Sequence, residues 1–280
     1  TVMRLHHRLL RSHMSGMVSR DRIERRLAEL AAIGRNPSGG VTRLAYSAEE
    51  NRAFDYLREE LPDGLVVEED SIGNLFVSAT PTAERSIFLG SHLDSVYNGG
   101  RLDGALGVVT ALEAVQTVFE GAEAPVFPPT LAVFRAEESA RFGQHTVGSR
   151  GALGMLTVDD FSATDQNDVP LWQGMQQAGF QPGDLAAPSI DTERVAAFLE
   201  VHIEQGRVLE EAETRLGIVT SIRAPVRYRL TVTGEYDHSG ATPMDLRHDA
   251  LAAAADLLSG VESVGREAAD DGDLVATVGD

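Results

Sequence analysis

Ser86–Phe119 reads SIFLGSHLDSVYNGGRLDGALGVVTALEAVQTVF. It opens on a short apolar run, Ser86–Leu89, of the kind a buried strand makes. It closes on a long apolar helix, Gly104–Phe119. Between them lies a polar, glycine-rich loop carrying His92, Asp94 and Asp103. A buried strand feeding an apolar helix is a building unit of α/β sheets. In such sheets ligands bind where the loops leave the strand ends.

The same alternation continues outward. Upstream, helical spacing covers Asp21–Ile33. A second helix opens at Ser47, with Glu50 completing a capping box, and runs to about Leu61 before Pro62. Leu65–Glu69 and Asn74–Ala79 read as strands joined by a turn around Ser71–Gly73. Downstream, Thr130–Arg135 is a buried strand, Thr146–Leu153 and Val169–Ala178 are helices, and Val195–His202 is a strand with a polar end. The order predicts an α/β protein with a mostly parallel central sheet flanked by helices. The pattern changes after Arg223–Ala224–Pro225. Val226–Gly234 alternates strictly, as a half-exposed antiparallel strand would. A helix at about Met244–Leu258 and a strand start at Leu274–Val278 follow, which reads as half of a small α+β domain. Residues 1–16, with His6, His7 and His13, match nothing that follows and read as a tail or tag scar.

Composition narrows the chemistry. The chain has no cysteine, so a metal would be held by His, Asp or Glu and not by thiolate. Its net charge is −19, and every basic residue is arginine. Such a surface repels nucleic acid and anionic membranes. Either a GC-rich coding bias or adaptation to concentrated salt accounts for the missing lysine. No apolar run approaches a membrane span and no secretory pattern is visible, so the expectation is a cytoplasmic protein.

Four blocks carry candidate chemistry. In GSHLDS, His92 and Asp94 are two apart, so an imidazole can ligate a cation while the carboxylate orients it; a loop histidine beside a solvated aspartate reads the same way. In NGGRLDG, Asp103 lies among glycines, placed to bridge cations or simply to cap the following helix. In FRAEESARFG, Glu137 and Glu138 end a buried strand, where adjacent carboxylates can divide ligation and proton transfer; a solvated acidic loop is the alternative. In FLEVHIEQG, His202 closes a strand, and Glu204 and Gln205 follow at a helix start. A lone histidine there is more often structural. Together, His92, Asp103, Glu138 and His202 form a nitrogen and oxygen donor set suited to Zn²⁺, Mn²⁺, Co²⁺ or Ni²⁺.

These blocks resemble the M20-type metallohydrolases. More narrowly, NGGRLDG, EES-x-RFG followed by GSR, HIEQG-x-VLE and GEYDHSGATPMDLRHDA are similar to the hydantoinase/carbamoylase branch: allantoate amidohydrolases, N-carbamoyl-L-amino-acid hydrolases and β-ureidopropionases. The resemblance runs from Arg22 to Asp280. It implies a zinc-peptidase-like catalytic domain over residues 17–224, and the first half of a lid and dimerisation domain over 225–280. It implies two divalent metal ions. His92, Asp103 and His202 would hold one, and Asp103 would bridge to a second held also by Glu138. Asp94 would orient, Glu137 would be the general acid and base, and Gln205, His238 and Arg247 would meet substrate. His238 would reach the active site of a partner subunit and stabilise the oxyanion, which makes a homodimer the expected state. Without the family, His238 reads as a solvated loop histidine and Arg247 as a surface salt bridge. Family members run to about 400 residues and take a further histidine ligand, with substrate contacts, from a part this chain lacks.

The activity implied is hydrolysis of a ureido, carbamoyl or amidino C–N bond of a small molecule. Two alternatives remain at this level: a superfamily peptidase or deacylase acting on ordinary amides, and a truncated metal-binding fragment without activity.

Overall fold

The computed structural model describes residues 17–121, 125–183, 187–224, 226–272 and 274–279. The stretch with His6, His7 and His13 lies outside them. The chain divides into two compact units between Gln205 and Gly206, and each is described by itself.

In the first unit, α1 (Arg20–Ala32) is capped by Ser19 and α2 (Ala48–Glu59) by Ser47. The Ser47 hydroxyl accepts from Glu50 N at 3.2 Å. The expected capping box is only half made. The Glu50 carboxylate accepts instead from Tyr46 N at 2.6 Å and from the Arg135 guanidinium at 2.8 Å. The Ser47 amide donates to the Leu44 carbonyl at 3.0 Å instead, so the buried charge-assisted bonds cost the helix end nothing.

β1 (Val66–Glu69) and β2 (Leu75–Ser78) follow, then β3 (Ser86–His92), α3 (Ala105–Glu120) and β4 (Pro129–Phe134). Next come α4 (Val147–Ala152), α5 (Val158–Ser162), α6 (Leu171–Gln177) and β5 (Val195–Leu199). The sequence pattern does not reveal α5, because five residues are too few to show a period, although Thr157 and Asp160 make a complete capping box. β5 stops three residues before His202.

The sheet order is β1-β2-β4-β3-β5. β3 is parallel to β4 and to β5, whereas β1–β2 and β2–β4 are antiparallel. The sheet is therefore mixed rather than mostly parallel. The turn at Ser71–Gly73 is too short for the crossover a parallel pair needs, so it forces β1 and β2 antiparallel.

Side-chain alternation splits the core. Leu75, Val77, Leu131 and Val133 pack in one cluster with Leu30 of α1, Phe54 and Leu57 of α2, and Val108, Leu112 and Val115 of α3. Phe76 and Ala132 pack with Ala152 of α4, Phe88, Phe134 and Ile190. α3 is apolar nearly all round because α1 covers it too. Glu113, buried in α3, pairs with Arg22 and Arg26 of α1 at 2.6 and 3.3 Å. The register sets His92 directly across from Phe134. The segments leaving two parallel strands thus emerge side by side at the carboxyl edge of the sheet.

In the second unit, α7 (Val208–Glu211) precedes a single 3₁₀ turn at Met244–Leu246 and the long helix α8 (Ala250–Asp271). Three sequence expectations change. Glu204 and Gln205 do not start a helix, which begins at Val208. The helix expected at Met244–Leu258 starts at Ala250, where the Asp249 carboxylate accepts from Leu251 N and Ala252 N, and it continues through Gly260 and Gly265. Val226–Gly234 and Leu274–Val278 form no strand. A strand exists only through its cross-strand bonds, and among the described residues no segment pairs with either. The side chains of Val226, Tyr228 and Leu230 are exposed.

Candidate metal centre

The centre is built where β3, β4 and β5 end. His92, the last residue of β3, is 3% exposed. Its Nδ1 lies 3.0 Å from the Asp94 carbonyl oxygen and 3.3 Å from Asp94 Oδ1. Nδ1–H therefore donates to Asp94, which leaves the Nε2 lone pair facing outward. Nε2 lies 3.9 Å from Asp103 Oδ1 and 3.8 Å from Glu137 Oε2.

Asp94 is 1% exposed and does more than orient the ring. Its Oδ1 accepts from Glu137 N at 3.1 Å and its Oδ2 from Glu138 N at 2.9 Å. One buried carboxylate thus ties the end of β3 to the segment after β4. That segment turns at Ala136, which has φ 51°, a left-handed conformation costing an alanine on the order of 1 kcal/mol or more. The strand itself stops at Phe134, so Glu137 and Glu138 sit past the turn and not at the strand end.

Asp103 precedes α3 without capping it. Gly104 takes the N-cap position at φ 62°. A Cβ there would lie 2.6 Å from two atoms of the His92 ring and 2.5 Å from the His92 carbonyl oxygen. Only glycine lets the Asp103 loop pass so close to the His92 ring. Asp103 Oδ1 lies 3.2 Å from His202 Nε2, and Oδ2 accepts from Gln205 Nε2 at 2.7 Å. His202 Nδ1 is 2.7 Å from the Ile203 carbonyl. Both histidines therefore spend Nδ1 on an oxygen and turn Nε2 toward Asp103.

Among the described residues, two groups offer ligand atoms all within 4.8 Å of one another: His92, Asp103 and His202, and His92, Glu137 and Glu138. Neutral imidazole nitrogens and carboxylate oxygens fit a borderline divalent cation.

The electrostatics carry the mark of crowded carboxylates. For Glu138, burial raises the pKa, His92 pulls it down, and Glu137, Asp94 and Asp103 raise it again, to about 7. Glu137 is raised too, by burial first, with His92 opposing and Asp94, Glu200 and Asp103 adding to the rise. For His92, burial acts to lower the pKa, but the hydrogen bond and charge of Asp94, with Glu137 and Glu138, outweigh it and bring the value to about 9. Groups crowded in this way release protons when a cation binds among them.

Six of the residues singled out from the sequence thus meet in the first unit with Gln205: His92, Asp94, Asp103, Glu137, Glu138 and His202. The other two lie in the second unit. His238 Nδ1 accepts from Gly240 N and Ala241 N, both at 3.1 Å. Arg247 donates to the carbonyls of His238, Ser239 and Thr242 at 3.0–3.2 Å. Sequence reasoning missed Glu50, Asn74 and Arg135, which surround the segment after β4. The available signal was an arginine closing an apolar strand directly before two glutamates.

An α/β sheet whose strand ends bring together two histidines and several carboxylates offers a nitrogen and oxygen donor set for a divalent cation. Residues 88–275 match the peptidase family M20/M25/M40, and the chain belongs to that family, which binds divalent metal. It is 43% identical over 269 residues to an N-carbamoyl-L-amino acid amidohydrolase of Geobacillus stearothermophilus, covering 94% of this chain and 64% of that protein. It is 37% identical to an allantoate amidohydrolase of Bacillus subtilis, covering 82% and 56%. Its fold matches a hydantoinase/carbamoylase family amidase from Burkholderia ambifaria with TM-score 0.68 and 33% identity, over 90% of this chain and 61% of that one. The chain spans less than two thirds of the length of these relatives. Among the described residues, no helix is long and apolar enough to cross a membrane.

Proposed function

We propose that this chain carries the catalytic metal centre of an amidohydrolase acting on the carbamoyl or ureido C–N bond of a small molecule, such as allantoate or an N-carbamoyl amino acid. The observation that supports it is the meeting of His92, Asp103 and His202, and of His92, Glu137 and Glu138, at one sheet edge. His92, Asp103 and His202 would hold one cation, and Asp103 and Glu138 would serve a second, as Zn²⁺, Mn²⁺, Co²⁺ or Ni²⁺. When bound, the cations supply Lewis acidity, which makes a water nucleophilic near neutral pH and polarises the substrate carbonyl.

The protein's own groups do the rest. Asp94 fixes the His92 ring and the backbone of Glu137. Glu137, its pKa raised by burial, takes the proton of the attacking water and delivers it to the leaving nitrogen. His238 accepts two amides at Nδ1, so Nε2 carries its proton and can donate to an oxyanion. That donation would come from a partner subunit, in a homodimer formed through residues 225–280. Gln205 would swing from Asp103 to substrate, and Arg247 would hold the His238 loop.

The test is ammonia release from allantoate, N-carbamoyl amino acids and 3-ureidopropionate, with each of the four metals added. Glu137→Gln should lower turnover by about 10²–10⁴-fold with bound metal unchanged. Hydrolysis of N-acetyl or dipeptide substrates alone would overturn the ureido reading, and full activity in Glu137→Gln would overturn the role of that residue.

A further inference from the structure

The peptide after β4 is bonded on both sides at every step. Arg135 N donates to Asn74 Oδ1 at 3.0 Å, and Ala136 N to Glu50 Oε1 at 3.5 Å. Glu137 N and Glu138 N both donate to Asp94. On the other side, the carbonyls of Arg135, Ala136 and Glu137 accept from Gly148, Val147 and Thr146 N at 2.8–2.9 Å. Those donors belong to the first turn of α4, which has no intrahelical partner for them. Two sets of orphaned backbone groups satisfy each other. Gly148 has to be glycine for this: a Cβ would stand 2.5 Å from Asn74 Oδ1 and 2.7 Å from Arg135 N.

At the centre lies a charge pair that the reaction does not use directly. Glu50 is 0% and Arg135 1% exposed, and they are 2.8 Å apart. Arg135 also donates to the Gly73 carbonyl and to Asn51 Oδ1. Its guanidinium lies 3.8 Å from the Phe54 ring centre and 4.5 Å from that of Phe180. Two non-glycine residues with left-handed backbone, Tyr46 and Ala136, bond to Glu50, and a third, Thr146, donates to the Glu137 carbonyl. Tyr46 N donates to Glu50 and Ala136 N donates to Glu50. Such conformations persist only where the surroundings over-determine them. A fully buried ion pair is a weak source of net stability, so its place beside the site points to another role.

We propose that the buried Glu50–Arg135 pair is a positioning unit, holding the left-handed turn at Ala136 so that Glu137 and Glu138 face His92. This rests on the reading of Glu137 and Glu138 as reactive groups. Glu50 and Arg135 touch no reacting atom; they act through the backbone. The consequence is that α2, remote in sequence, sets the geometry of the proton-carrying carboxylate.

The test is amide hydrogen exchange of the full chain, followed by mass spectrometry, for wild type and Glu50→Gln. The variant keeps shape and an acceptor oxygen but no longer neutralises Arg135. Exchange in peptides covering residues 135–138 should accelerate about tenfold or more, as expected for weakening a charge-assisted bond, while Ser86–His92 stays protected. In the ammonia assay, kcat should fall with KM and bound metal unchanged. Unchanged exchange in folded Glu50→Gln, or acceleration of equal size throughout the first unit, overturns the proposal. If Glu50→Gln does not fold, Asn51→Ala decides: it removes one acceptor from Arg135 at a half-buried position. Faster exchange at 135–138 alone then supports the proposal, and unchanged exchange overturns it. Local acceleration in a protein whose wild type hydrolyses no ureido compound would keep this inference and sink the proposed function.

Discussion

The two halves of the proposed ligand set are held in different ways. At the ends of β3 and β4, His92 and Asp94 are buried, and the amides of Glu137 and Glu138 are bonded to Asp94. At the end of β5, His202 and Gln205 are exposed, and their contacts run to Asp103 and one neighbouring carbonyl. The first half is preorganised by the fold. The second has few contacts to fix it, so a cation would supply much of its order. Preorganisation costs stability when broken, whereas an exposed ligand costs only binding.

That contrast predicts unequal responses. Asp94→Ala should be the most damaging change, because it leaves the amides of Glu137 and Glu138 without their acceptor and takes the carboxylate away from the His92 ring. A loss of about 3–5 kcal/mol, read from the urea midpoint of the metal-free protein, follows from unsatisfied buried donors. A loss below 1 kcal/mol would erase the distinction between the halves.

Next in size is a pH effect on metal affinity. His92, at about 9, and Glu138, at about 7, hold protons that a cation must displace. Affinity should therefore fall as pH drops below about 9, by about tenfold per unit for each proton displaced, and more steeply below about 7. Calorimetry in buffers of different ionisation enthalpy would show the released protons; affinity that is flat from pH 6 to 9 would contradict the assignment.

The smallest effect on folding belongs to His202→Ala, within about 0.5 kcal/mol by thermal melting of the metal-free protein. Metal affinity should nevertheless drop by more than the roughly 10–100-fold typical of residues behind a ligand. A large stability loss would place His202 among the buried half.

Much of the first unit was legible because its signals are local. Ser86–Phe119 shows a strand, a glycine-rich loop and an apolar helix in order, and the β1–β2 turn is short. The mixed sheet was not legible from alternation alone, since direction depends on how strands are connected. The proposed ligands His92, Asp103, Glu138 and His202 stand out by type and by their place after strands. Glu50 does not, because a glutamate three residues after a serine looks like a cap, and nothing local shows that it reaches Arg135, 85 residues on. The second unit teaches the converse. Val226–Gly234 has the period of a strand, yet periodicity describes only which faces a strand would have. Without a paired segment among the described residues, the backbone forms no ladder.

The most direct test is anomalous diffraction at the metal edge from crystals of this chain grown with Mn²⁺ or Zn²⁺. The account predicts cation density bounded by His92, Asp103 and His202, with a second position at Glu138. Density elsewhere with these side chains unligated, or ligand atoms pointing into separate pockets, would contradict it.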